Sequence, residues 1–73
     1  MLDGIRTDIA KALADAALEL ADHDPNRVPT ELGRVVEEWR ERAAIREHVG
    51  GMTRMGAEVA AVSDAREMLG LAR

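Results

Sequence analysis

The chain has 73 residues, no cysteine and a net charge of −4, so it is at most one domain (1–73), with neither a disulfide nor a thiolate zinc site to hold it. Hydrophobic residues make up 47% of it, yet Trp39 is the only aromatic, which excludes a core built on large rings. The charge balance argues against a nucleic-acid partner: residues 1–24 hold six acids and two bases, while the five arginines and five glutamates of residues 25–49 cancel, as do the three bases and three acids of residues 50–73.

The first predicted element is a helix over residues 3–22, capped by Asp3. Leu2, Ile5, Ile9, Leu13, Ala16 and Leu20 recur at steps of three and four and share one face. Ala10, Ala14, Ala17 and Ala21 make a second row beside it, and Leu18 lies nearly opposite, so the helix is expected to be covered from two sides. Asp8, Asp15, Glu19 and Asp22 share the narrow polar arc, and a solvated face accounts for them. Leu2-Asp3-Gly4-Ile5-Arg6-Thr7-Asp8-Ile9 resembles the first helix of the all-helical chorismate mutases over about a dozen residues. The basic residues those enzymes use further along that helix are missing, because the matching stretch reads Ala-Leu-Glu-Leu-Ala-Asp, and the resemblance is not adopted.

The segment Asp22-His23-Asp24-Pro25-Asn26-Arg27-Val28-Pro29 predicts a loop, since each proline fixes φ and biases its predecessor away from the α region. A second helix, 30–49, is expected to start with Thr30 as its cap. Its apolar face is Leu32, Val35, Val36, Trp39 and Ala43, and Arg34, Glu38 and Arg42 offer successive i,i+4 ion pairs on the other side. Ile45 and Val49 then fall on roughly the opposite side from Leu32 and Trp39.

Gly50-Gly51 predicts a break, because two glycines inside a helix cost about 2 kcal/mol relative to two alanines. A single long helix from Thr30 to Leu69 is the rival. The third helix, 52–69, starts near Met52 or Thr53 and stops at Gly70. Met52, Met55, Val59, Val62, Arg66 and Leu69 alternate steps of three and four, which is a heptad seam with an arginine at a core-type position. Such an arginine is expected to pair with an acid of another chain. Glu58–Asp64 has a passing likeness to a helix-turn-helix, with Ser63 as cap.

The fold class expected is therefore all-α: a helical hairpin or three-helix bundle, completed by oligomerisation. Ser63, the three threonines and Lys11 are the available nucleophiles, and neither histidine, His23 or His48, is close to Ser63 in sequence. No Glu-x-x-His pair is present, so no di-metal bundle site is expected. These features point to a non-enzymatic helical interaction module with no cofactor and no metal. Its expected partner is protein, chiefly itself, through Ile45, Val49, Met52, Met55, Val59, Val62, Arg66 and Leu69. A subunit of a larger assembly, a phage particle included, fits that description; the alternatives are a small inhibitor or antitoxin-like regulator docking on a different protein and, from the resemblance alone, a small helical enzyme of the chorismate mutase kind. The apolar runs are too short to span a membrane, and the opening residues lack a signal peptide's basic start, so the expected location is the cytoplasm, that of a host cell or a virion if the chain is phage-encoded.

Overall fold

A computed structural model describes residues 4–71, which form three helices in chain order: α1 (Thr7–Leu20), α2 (Val28–His48) and α3 (Arg54–Met68). The expected cap Asp3 lies outside the described residues. The chain enters α1 through Gly4, at φ +80°, and Arg6, whose extended backbone (φ −56°, ψ 145°) stands at the cap position without a side-chain bond. Asp8 sits in the first turn, where the exposed N–H groups favour an anion.

α1 ends two residues earlier than expected, on a turn usually made by glycine. The Asp22 N–H donates to the Glu19 carbonyl (3.1 Å) and the His23 N–H to the Leu18 carbonyl (3.0 Å). That closure places Asp22 at φ 57° and His23 at φ 60°, both left-handed.

α2 begins before the expected cap. Thr30 lies inside the helix, and the first residue is Val28, with Pro29 in the first turn. Proline is tolerated there because the first N–H groups of a helix have no intrahelical acceptor. Val28 is thus helical despite preceding a proline. The approach is set by Asp24, whose carboxylate accepts from the Asn26 N–H (3.0 Å) and whose carbonyl accepts from the Arg27 N–H (3.0 Å).

The break at Gly50-Gly51 is present. Gly51 takes φ +68°, and the Gly50 and Met52 N–H groups return to the Ile45 and Arg46 carbonyls. A continuous helix from Thr30 to Leu69 would be about 60 Å long, whereas the longest extent of the molecule is 38 Å. Met52 stays outside α3, and Thr53 caps it, its hydroxyl accepting from the Gly56 N–H (3.1 Å). At the far end Gly70, at φ +80°, closes the same kind of turn as Asp22, with the Leu71 N–H on the Arg66 carbonyl (2.8 Å). Glu58–Asp64 is uninterrupted helix, so the helix-turn-helix likeness has no turn in it.

The three helices pack as one bundle, with α2 and α3 in the most extensive contact. The core joins Ile9, Leu13, Ala16 and Ala17 of α1 to Val35, Val36 and Trp39 of α2 and Ala61 and Ala65 of α3, with Leu32 and Ala43 packed against it as the apolar face of α2 predicts. Ala17 and Ala21 are buried beside Ile9, Leu13 and Ala16, while Ile5, Leu20, Ala10 and Ala14 of the two expected rows are half-buried and Leu2 lies outside the described residues. The radius of gyration, 11.8 Å, is close to the about 11 Å expected of a compact chain this long.

Candidate functional site: the α2–α3 hairpin end

The buried row of α3 is Ala57, Ala61 and Ala65, spaced by four, and not the heptad seam. Small side chains in that row let the backbone of α3 approach α2 closely. The Trp39 indole N–H reaches across to donate to the Glu58 carbonyl (2.9 Å), and Trp39 itself is buried, as its place on the apolar face predicts.

With the alanines facing inward, the seam divides. Val62 and Leu69 pack against the chain's own core, and Met52, in the connection before α3, is half-buried with its sulfur 3.8 Å from an Arg46 guanidinium nitrogen. Met55 and Val59 remain exposed, at 60% and 52% of their surface. Ile45, on the last turn of α2, and Val49, the residue that caps it, are exposed at 41% and 83%. These four residues flank Gly50-Gly51 in the chain, with Val49 and Met55 nearest the turn and Ile45 and Val59 four residues further from it on either side. Two further large apolar side chains, Leu18 and Met68, are exposed near the C-terminal ends of α1 and α3.

Arg66 meets an acid of its own chain, where the seam led to the expectation of an acid from another. Its two terminal nitrogens hold both oxygens of Glu19 at 2.8 and 3.1 Å, tying the end of α3 to the end of α1. This fork holds the Glu19 carboxyl below its ordinary value, through the hydrogen bond first and the charge of Arg66 and His23 after it. A second fork joins α2 to α3: Arg46 Nε and Nη2 engage the two oxygens of Asp64, the latter at 2.9 Å. It lowers the Asp64 carboxyl in the same way.

Glu31 carries a role that its sequence position hides. It is buried at 5% exposure, and its oxygens accept from Arg27 (3.1 Å) and Arg34 (2.9 Å). Arg34 therefore pairs backward with Glu31, and the expected Arg34–Glu38 pair gives way to it, while Glu38–Arg42 forms as predicted (3.1 Å). Arg27 also reaches the Leu20 and Ala21 carbonyls at 3.4 and 3.5 Å, spanning the loop between α1 and α2.

Comparison with known protein families, with curated proteins and with solved structures finds no match to this chain. Ser63, Lys11, His23 and His48 are all exposed, and they stand on four different elements: α3, α1, the first loop and the end of α2. Among the described residues no three histidines or carboxylates converge as a metal site would need, and no helix is long and apolar enough to cross a membrane. A shallow cleft of about 250 Å³ beside Trp39 is lined by Ala43, Ala44, Arg40, His48, Arg54 and Glu58, a mixture of both charge signs.

Proposed function

We propose that this chain is a non-enzymatic helical interaction module that associates with copies of itself through the end of the bundle where α2 turns into α3. The observation that carries the reading is the exposure of Ile45, Val49, Met55 and Val59 around one turn. Large apolar side chains grouped in this way are a common mark of a protein contact, and methionine adapts its shape to a facing surface.

Charge favours a second copy over an acidic or basic stranger. The −4 excess resides in residues 1–24, whereas residues 25–49 and 50–73 are each neutral. Two copies meeting at the hairpin end bring neutral surfaces together and keep the acidic first helix of each apart. The role fits a subunit of a larger assembly, in the cytoplasm or in a particle.

Sedimentation tests this directly. Val59→Asp should reduce association far more than Ala44→Asp, since a charge at the centre of an apolar contact must be desolvated and one on an already exposed helix face need not be. A strict monomer at micromolar concentration, with a cooperative melt, or equal effects of the two variants, would overturn the reading. A one-to-one complex with a different protein on isolation from the native source would replace it with that of a docking regulator.

A further inference from the structure

Two adjacent backbone positions after α1 are held against their preference. Asp22 and His23 are both left-handed, the conformation that L-residues with a Cβ disfavour. Both lie in the segment joining Leu20 to α2, and each would relax if that segment straightened. Pro25 lies within it and fixes its own φ, while Pro29 already belongs to the first turn of α2.

The ties of α1 to the rest of the molecule form a separable set. Its apolar row Ile9, Leu13, Ala16 and Ala17 fills a groove walled by Val35, Val36, Trp39, Ala61 and Ala65, and Glu19 pairs with Arg66 of α3. The hairpin of α2 and α3 has its own fastenings, Arg46 with Asp64 and Trp39 with the Glu58 carbonyl. A groove so matched to α1 accepts the α1 of a second copy equally well. The contacts of α1 with its own groove are then remade in the other copy, while the hinge gives up its turn bonds from Asp22 and His23 and the reach of Arg27 to the Leu20 and Ala21 carbonyls as the backbone at Asp22 and His23 relaxes.

We propose that α1 exchanges between two copies of the chain, each α1 seating in the other's α2–α3 groove with Glu19 of one copy on Arg66 of the second. Short connections under strain invite such exchange. This contact is separate from the one at the hairpin end, so the experiment is run with Val59→Asp in every chain. That background removes the other association and keeps failure of one reading distinct from failure of the other.

One chain carries Glu19→Arg and the other Arg66→Glu. Alone, each sets like charges against one another where the ion pair was. Mixed, warmed to the melting midpoint and cooled, they restore opposite charges at both positions only in an exchanged heterodimer. Native mass spectrometry should find roughly tenfold more heterodimer in the mixture than homodimer in either chain alone, since like charges are replaced by opposite ones at both sites. Adding Asp22→Gly and His23→Gly to both chains should lower the heterodimer yield, because glycine accepts the closed turn without strain. A mixture that is the sum of its parts, or a yield unmoved by the glycines, overturns the proposal. The chain with only Val59→Asp gives a reading independent of the charge changes. Concentrated, warmed and cooled, it should retain a dimer that persists after dilution, and a single monomer peak would overturn the exchange.

Discussion

Replacing Ala61 with leucine tests which side of α3 faces the bundle. Ala61 has 0% of its surface exposed and sits midway along the row Ala57, Ala61 and Ala65, where α3 approaches α2. Leucine and alanine are both strong helix formers, so the helix itself should be little affected and the loss should come from packing. Three added carbons in a filled interface typically cost about 1–3 kcal/mol. A chain of this length holds on the order of 4–11 kcal/mol in total, so the substitution removes a large share. With about 4–8 °C lost per kcal/mol in a domain this small, Ala61→Leu should lower Tm by about 12 °C in a thermal melt followed by circular dichroism. Val59→Leu is the control: Val59 is half-exposed on the heptad seam, and its change should stay within about 0.5 kcal/mol of zero. If the heptad seam were the buried contact, the two results would be reversed. An Ala61→Leu chain that melts with the wild type, or above Val59→Leu, refutes the alanine-row packing.

Asp22→Gly should stabilise the chain by about 0.5–1 kcal/mol in denaturant titration, because left-handed strain of about 1–2 kcal/mol is relieved and only partly offset by the greater freedom of glycine when unfolded; a loss of stability would show that the Asp22 side chain contributes a bond of its own. Gly70→Ala should cost about 1 kcal/mol by the same reasoning in reverse, since Gly70 stands at φ +80° with open space around it and only its backbone conformation opposes a Cβ; an unchanged midpoint would mean that the end of α3 frays freely. Glu19 and Asp64 are both held below their ordinary carboxyl values by their arginines, so their contribution to folding is fully present above about pH 4.5 and is lost as pH falls through the lowered values. The wild type should therefore lose more Tm between neutral pH and about pH 3 than a chain carrying Arg46→Gln and Arg66→Gln, and equal losses would remove the two forks from the acid response.

The helices and the turn between α2 and α3 were legible because each rests on local chemistry. Gly50-Gly51 and Gly70 mark places where the chain must leave the helix, and Thr53 supplies the oxygen that a helix start lacks. The apolar face of α2 follows from a period that any helix imposes. The start of α2 was harder, because a proline in the first turn and a proline before it look alike in sequence, and the difference lies in whether the missing N–H was needed. Asp22 likewise reads as an ordinary loop residue, although its backbone completes a cap that glycine usually provides.

What the sequence hid were the choices made between elements. A heptad reading gives weight to large side chains, and α3 has them at Met55, Val59, Val62 and Leu69. Where two helices close tightly, however, the residues between them are the small ones, and Ala57, Ala61 and Ala65 were open to the same reading at steps of four. Once the alanines face inward, the large residues turn partly outward, so the packing of the bundle and the exposure of Met55 and Val59 have a single cause. Arg66 follows from it too: a position at the edge of the buried face brings its guanidinium within reach of Glu19, 47 residues away, a distance over which no sequence pattern signals a pair. Glu31 is the converse case, a carboxylate that composition assigns to the surface but that lies buried, with Arg27 and Arg34 both donating to it. Ile45 and Val49 needed no such correction. Their change of face relative to Leu32 and Trp39 could be counted along the helix, and it leaves them outside the core.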